Sequence, residues 1–301
     1  MHVYLFPLIM KGMTMERCGL IPRFALPLLA VLCAPQSPAG DRWSDWTWPP
    51  WHRQPTIGLA YGFSRTLHDG VTTAPANTGA GELLLGGTRI GETDSASTLL
   101  RYRFLFFSVA NFNSDYASSP PAGVPTLNIW RFGCGTRSGY GYRLGEDPEG
   151  TALLLYHGAD GALSSVDIRS VPGGMRDSSV LEQYNGAARF GTSFSGGVVL
   201  RVTPLISLDA GYQRMVILRR MVFWPWLGSA VIEGMLHAGL DGFIKRIGEA
   251  SPMAKPIVYF ALKNALSYGI SQLRRANAYT PFASEAPMVL DTFSIGLAFT
   301  F

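Results

Sequence analysis

The sequence predicts an all-β fold with a helical insertion. The expected architecture is an eight-stranded antiparallel up-and-down transmembrane β-barrel, with a helix-turn-helix pair before the last strand. Three observations predict it. Apolar residues recur with a period of two through most of the chain, and with a helical period only between 218 and 290. The positions facing away from the large apolar side chains are Gly, Ala and Ser with occasional Arg, where a soluble sheet carries Lys and Glu. No stretch after residue 39 reaches the roughly 18 consecutive apolar residues of a membrane helix. Composition points the same way. The 301 residues are 47% hydrophobic, 15% charged and include 34 Gly, against about 25% charged and ~7% Gly in average chains. This excludes a disordered chain and a collagen, and three cysteines are too few for a disulfide scaffold.

The elements follow in order. Residues 1–39 read as a signal peptide, with 1–14 an upstream extension and Met15 the candidate start. Arg17 and Arg23 precede an apolar run at 24–34, long enough for a signal core and too short to span. Ser37, Pro38 and Ala39 place small residues before a cleavage point at Gly40. Removal takes Lys11, Arg17, Arg23 and Glu16 with it, which lowers the net charge of +4 by two and leaves no case for a nucleic-acid partner. Residues 40–54 hold Trp43, Trp46, Trp48 and Trp51. They suit a periplasmic membrane interface, where indole rings are buried and their N–H stays wet. A carbohydrate-stacking or partner patch and packing against the barrel base are the other readings.

Strands are expected at 55–66, 80–91, 97–112, 126–144, 150–163, 188–203, 205–217 and 291–301. In the first, Ile57, Leu59, Tyr61 and Phe63 alternate with Gly58, Ala60, Gly62 and Ser64. In the last, Phe293, Ile295, Leu297, Phe299 and Phe301 alternate with small or polar residues. Large residues facing lipid and small ones lining a narrow interior make sense of both. By the same rule Leu100, Tyr102, Phe104 and Phe106 are expected outside, with Arg101 and Arg103 in the lumen. Arg131, Arg137 and Arg143 share a face with Gly133, Gly135, Gly139 and Gly141, a plausible polar lining. Arg201 and Asp209 flank the Thr203-Pro204 turn on one inward face. The least regular strand is 150–163, which loses parity around Gly158. Connections alternate long and short, which puts both termini in the periplasm.

The insertion at 218–290 carries Val231, Ile232, Met235, Leu236, Leu240, Phe243, Ile244 and Ile247 at helical spacing, with Glu233, His237, Asp241, Lys245 and Glu249 opposite. Ser251-Pro252 breaks it, and a second helical stretch follows at about 254–276. Trp224 and Trp226 precede the pair as candidate interface anchors. Three placements stay open: a cap on the outer loops, a pair lying at the membrane surface, or a plug in the lumen.

No catalytic, cofactor or metal constellation emerges. The histidines lack metal spacing, and no nucleophile-elbow motif is present. His68 or His157 with Ser64 or Ser165 offers a dyad only in the sense that any Ser-rich barrel does. The lumenal arginines read first as a salt-bridge network with Glu82 and Asp209, and second as an anion-preferring pore.

These residues resemble the small bacterial outer-membrane β-barrels of the outer-membrane protein A, W and X types. Ser294, Gly296, Phe299 and Phe301 look like the β-signal read by the barrel assembly machinery. The 197–212 hairpin is also similar. The resemblance covers roughly 55–217 and 291–301, and departs from the group at 218–290. It implies integral location in the outer membrane, outer-membrane lipid and the assembly machinery as partners, no cofactor, and no single activity. The expected role is non-enzymatic and structural, binding or surface-interacting. The alternatives are a transport barrel for small or hydrophobic solutes and, third, a lipid-modifying enzyme.

Overall fold

The structure is a computed structural model that describes residues 53–93, 98–117, 123–147, 150–169 and 175–301. The expected signal peptide and Trp43, Trp46, Trp48 and Trp51 lie outside the described residues.

Eight strands form: β1 Gln54–Leu67, β2 Thr78–Glu92, β3 Leu99–Asn113, β4 Thr126–Arg143, β5 Ala152–Arg169, β6 Ala188–Arg201, β7 Ile206–Ile217 and β8 Met288–Thr300. Each pairs antiparallel with the next, and β1 pairs with β8, closing the barrel. Closure leaves no unpaired edge. The strand expected to be least regular, β5, runs unbroken through Gly158, which sits opposite Arg137 and Ser195. A side chain at Gly158 would press on both neighbours, Arg137 Cγ at 3.0 Å and Ser195 Oγ at 2.5 Å. The parity lost in the sequence there is therefore a packing requirement of the interior.

Alternation sorts the two faces as the small-in, large-out rule requires along β1 and β8. Thr56, Ser64 and Thr66 are buried inside, while Ile57, Leu59, Tyr61 and Phe63 are exposed outside. On β8, Phe293 and Ile295 are 67% and 72% exposed. On β3 the rule inverts, and the expectation for Arg101 and Arg103 is corrected. Leu100, Tyr102, Phe104 and Phe106 are buried inside the barrel, and Arg101 and Arg103 stand on its outer wall. The physical reason is twofold. The interior stacks its rings beneath an arginine, with Phe104 and Phe106 at 5.3 Å and Arg137 over Phe106. The outer wall at this place faces protein.

That protein is the helical insertion. Helix α1, Met175–Glu182, lies in the β5–β6 connection; α2, Phe223–Ala250, and α3, Lys255–Ala276, form the hairpin between β7 and β8. At 28 residues α2 is long enough to run the full barrel height. It starts at the long-connection end, where Trp226 meets Phe190 of β6. It ends at the short-turn end, where Tyr142 donates to the Met253 carbonyl at 2.6 Å. Helix α3 returns along the outside of β4, β5 and β6. Tyr259 packs on Tyr140 with ring centres 5.1 Å apart, and Asn264 occupies the space over Gly196. None of the three expected placements holds: the hairpin is neither cap, surface helix nor plug, but lies against the outer wall.

The hairpin is inside-out. Its buried positions are Ser229, Ile244, Pro256, Lys263, Ser267 and Ser271, whereas Met235, Phe243, Ile257 and Leu273 are more than half exposed. Among the described residues no helix is long and apolar enough to cross a membrane alone.

At the long-connection end, Leu181 of α1 and Tyr184 just after it seal the barrel, joining Phe112, Leu127, Ile129, Met215 and Met288 in one buried cluster. Asp177 anchors this helix to the loop after β1. Its carboxylate accepts from Thr72 Oγ1 at 2.6 Å, Thr73 N at 2.9 Å and Thr72 N at 3.1 Å. Those bonds hold its pKa below the ordinary carboxylate value.

Two predictions follow from this packing. A Cβ at Gly135 of β4 would drive into Asp160 and the Ala159 carbonyl, while one at Gly81 meets nothing within 4 Å. Gly135→Val is expected to destabilise by about 1–3 kcal/mol in urea unfolding and Gly81→Ala by less than about 0.5 kcal/mol. Because the folded pKa of Asp177 is depressed, its anchoring is complete above pH about 4 and is lost as pH falls through the lowered value. Amide exchange at Thr72 and Thr73 is expected to be flat from pH 8 to 5, once corrected for intrinsic rates, and to lose protection below. Asp177→Ala should remove that protection at every pH.

Candidate functional site

Two polar assemblies occupy places where the fold would otherwise be apolar. The first closes the lumen. Arg131 of β4 is fully buried, and the sheet register brings β2, β5 and β6 residues to it. Its Nη1 lies 3.1 Å from Glu82 Oε1, its Nη2 meets Asp160 and donates to Ser193 Oγ at 3.2 Å, and Ser193 donates to Asp160. Gln213 Nε2 completes the layer by donating to Ser193 Oγ at 3.0 Å. Buried charge is costly unless paired, and here two carboxylates surround one guanidinium. One layer toward the termini, Arg137 pairs with Asp209, and Tyr156 OH donates to the same carboxylate at 3.0 Å. The Arg137 guanidinium lies 4.8 Å over the Tyr156 ring.

Arg131, Arg137, Arg143, Arg201 and Asp209 lie on the inner face of the barrel. The network with Glu82 and Asp209 is present, and Asp160 is the member that sequence reasoning missed. Arg143 reaches Glu92 at 2.5 Å, and Arg201 Nε donates to the Gly150 carbonyl at 3.1 Å. Arg201 and Asp209 share the inward face, yet Asp209 pairs with Arg137. Below Arg137 a cavity of about 440 Å³ opens at the end where β1 begins and β8 ends, lined by Thr56, Arg143, Arg201 and Thr300. Above Arg131 the apolar cluster under α1 closes the passage.

The second assembly is the seam between hairpin and wall. From α2, Glu233 pairs with Arg274 of α3 at 2.8 Å, and Asp241 with Lys263 at 2.7 Å. Between these pairs His237 Nε2 lies 3.3 Å from Ser267 Oγ, and its ring stacks on His157 of β5 at 5.5 Å. His157 Nδ1 meets Asn264 Oδ1 at 3.1 Å, and Ser138 meets Tyr259 OH at 2.9 Å. A cavity of about 450 Å³ lies in this seam, with Arg101, Arg103, Lys245 and Lys255 on its margin. The signal for the seam was in the sequence, because Ser229, Glu233, His237 and Asp241 recur at four, as do Lys263, Ser267 and Ser271. The expectation gave that face no protein partner, whereas it packs against protein.

The remaining expected residues separate. Ser294 and Gly296 face inward on β8, Phe299 faces outward, and Phe301 follows the strand end, where its N–H donates to the Pro55 carbonyl at 2.9 Å. Trp224 is 76% exposed, while Trp226 is half-buried against Phe190. The suggested Ser–His dyads do not form. Ser64 turns inward to Thr292 at 2.6 Å, while His68 accepts from the Gly70 N–H at 2.9 Å, its pKa lowered mainly by burial. Ser165 lies eight residues along β5 from His157, outside the hairpin's helices. No group of three metal-ligating side chains occurs among the described residues.

The fold is a closed eight-stranded antiparallel barrel carrying an external helical hairpin. Among solved structures the chain is similar to Neisserial surface protein A, at 11% identity and TM-score 0.37, covering 82% of this chain and 97% of that one. Another is Ail, the attachment invasion locus protein of Yersinia pestis, at 11% identity and TM-score 0.32, covering 83% and 99%. A second structure of Ail, in complex with the heparin analogue sucrose octasulfate, matches at the same identity and score. No protein-family model and no curated protein matches the sequence.

The lumenal layer predicts a clear asymmetry. Arg131→Met leaves Asp160 and Glu82 buried with like charge, and is expected to cost about 3–5 kcal/mol. Combining it with Asp160→Leu and Glu82→Leu is expected to recover most of that loss in urea unfolding of the detergent-solubilised protein.

Proposed function

We propose that this chain is an integral bacterial outer-membrane β-barrel protein with a non-enzymatic structural, binding or surface-interaction role. It would be exported by its N-terminal signal peptide and inserted by the barrel assembly machinery. Supporting the membrane reading is the belt of exposed Ile57, Leu59, Phe63, Phe107, Phe293 and Ile295, which continues onto the outward Met235 and Phe243 of the hairpin. Such a surface is stable only where the solvent is lipid. Both chain termini then lie on the periplasmic side, and α1 seals the opposite mouth.

The observation that carries the non-transport reading is the filled lumen. The Arg131–Asp160–Glu82 layer and the apolar cluster beneath α1 leave a vestibule at one end in place of a passage. An eight-stranded barrel is barely wide enough for its own side chains, so closure follows from strand number as well. The non-enzymatic reading rests on the partners of the histidines. His157 and His237 are engaged in holding the hairpin, and His68 in a local turn.

Three measurements test this reading. In planar bilayers the protein is expected to give no steady conductance; stable ion-selective currents would return the transport alternative. Unheated samples in detergent gels should migrate differently from boiled ones, as closed barrels do. N-terminal sequencing of the membrane-extracted protein should begin near Gly40.

A further inference from the structure

Below Arg137 the two sides of the lumen are unlike. The inner wall of β2, β3, β5 and β6 carries Leu84, Leu100, Tyr102, Phe104, Leu154 and Val199, all buried and packed as one cluster. The facing wall carries Gly58 and Ala60 of β1, Ser207 of β7, and Gly296 and Ala298 of β8. Large residues facing small ones across a barrel leave a gap, and the cavity of about 440 Å³ is that gap. Its size lies within the roughly 300–1,000 Å³ of small-molecule sites, and the mouth of a barrel is a common place for one. At the other end of the lumen Leu181 and Tyr184 fill the corresponding space. No described side chain takes that part here.

The polar groups facing this cavity decide what it can hold. Its charges are already engaged: Arg137 by Asp209, Arg143 by Glu92, and Arg201 on the Gly150 carbonyl. An ionic ligand would bring an unmatched charge out of water. Thr56 Oγ1 donates to Thr88 Oγ1 at 2.9 Å and lies 3.2 Å from Thr300 Oγ1, so these hydroxyls bond among themselves. Two donors are left over. The Nε atoms of Arg137 and Arg143 are buried and, among the described residues, have no hydrogen-bond partner. Both arginines line the cavity, and Arg137 forms its floor, held by the rings of Tyr156 and Phe106 at 4.8 and 5.5 Å. A buried donor without an acceptor is costly, and a pure hydrocarbon would leave that cost in place.

We propose that this vestibule binds a small neutral molecule with an apolar body and a hydrogen-bond-accepting oxygen. The body lies between the Leu84, Phe104 and Val199 wall and the Gly and Ala wall, and the oxygen accepts from Arg137 Nε at the floor. The ion pairs stay as they are, and the one donor they leave over is used. Because the lumen is closed above Arg131, the ligand enters and leaves by the same mouth, so the site captures and does not conduct. The site itself needs only the closed lumen. That its mouth opens to the periplasm rests on the membrane reading.

The test uses the full chain in lipid nanodiscs, where no detergent competes, with methyl groups observed by NMR. Three probes of one shape are titrated: benzophenone, which has an acceptor; diphenylmethane, which has none; and diphenylacetate, an anion. Benzophenone is expected to shift the inward methyls of Leu84, Leu154 and Val199 and to bind at least about fivefold more tightly than the other two. Ala298→Leu fills the gap and is expected to lose at least about tenfold in affinity, whereas Ala210→Leu, on the outer wall, should match the wild type. Arg137→Lys keeps the charge beside Asp209 but removes the Nε donor, and should bring benzophenone down to the level of diphenylmethane. Shifts confined to the outward methyls of Leu59 and Leu85 would mark partition into lipid and overturn the proposal. So would Ala298→Leu binding like the wild type. Diphenylmethane or diphenylacetate binding as tightly as benzophenone would overturn the assigned ligand class. If Ala298→Leu shows no heat-modifiable migration, Ser207→Val is judged by the same criterion; if Arg137→Lys shows none, the three probes on the wild type decide. Failure of the membrane reading is seen separately, as a wild type that stays soluble without detergent and shows no heat shift.

Discussion

The arrangement depends on one constraint: polar side chains at mid-height on the outer wall must find partners once they are taken out of water. Ser138, His157 and the bare backbone at Gly196 face outward on β4, β5 and β6. Each would lose its water contacts in an apolar surround at a cost of a few kcal/mol. Helix α3 supplies the partners. Tyr259 takes Ser138, Asn264 takes His157 and the Tyr156 carbonyl, and the same Asn264 fills the space over Gly196. Neither surface is viable alone. The wall would expose unsatisfied groups, and the hairpin would expose two ion pairs and a histidine. Packed together, they present Met235, Phe243 and Leu273 outward, and the molecule recovers one continuous apolar exterior.

Inside the barrel the same problem has a different solution. Glycine on β4 lets the walls approach, and the approach leaves room for long arginines only where a carboxylate from another strand meets them. Arg131 draws Glu82 from β2 and Asp160 from β5; Arg137 draws Asp209 from β7. The pairs therefore bridge across the barrel rather than along it. Removing one partner exposes a charge to a medium that cannot solvate it, so the register of four strands is tied to two arginines. Rings from β3 fill the gaps that glycine leaves, with Tyr102 and Tyr156 6.3 Å apart.

The barrel was legible in the sequence because period, residue size and connection length are local quantities that agree. Parity alone groups Arg131, Arg137, Arg143, Arg201 and Asp209 on the inner face, whereas the register of β1 with β8 is visible only in the structure. Two things were not legible, and both have one physical source. The parity of β3 has two readings, rings out with arginines in, or the reverse, and only the neighbour on the outer side decides between them. The polar stripe of α2 likewise has two readings, water or protein. The β3 reading takes rings outside and arginines inside, and the hairpin's place stays open among cap, membrane surface and plug; the structure departs from each because the hairpin and the β3–β6 wall serve as one another's solvent. The recurrence of Ser229, Glu233, His237 and Asp241 at four marks a polar stripe but does not name the wall that covers it. Asp160 was missed for a related reason, since the apparent parity break at Gly158 concealed which face it occupies.

The insertion sits at the one connection whose closure completes the sheet, because β8 must pair with β7 on one side and β1 on the other. A disordered link of that length would separate β7 from β8 by an entropic cost that grows only slowly with length, yet would leave the position of β8 unguided. The hairpin removes that freedom. It leaves the long-connection end, returns to it, and delivers Met288 opposite Ile217. Its return is fixed by short contacts at the base: Tyr279 OH accepts from the Val222 N–H at 3.0 Å and donates to the Arg220 carbonyl at 2.6 Å, and Ser229 donates to the Thr280 carbonyl at 2.8 Å. These bonds clamp the two ends of the insertion together. With α3 docked on β4–β6 and the insertion clamped at its base, the segment that departs most from a simple barrel also holds its closing strand beside β7.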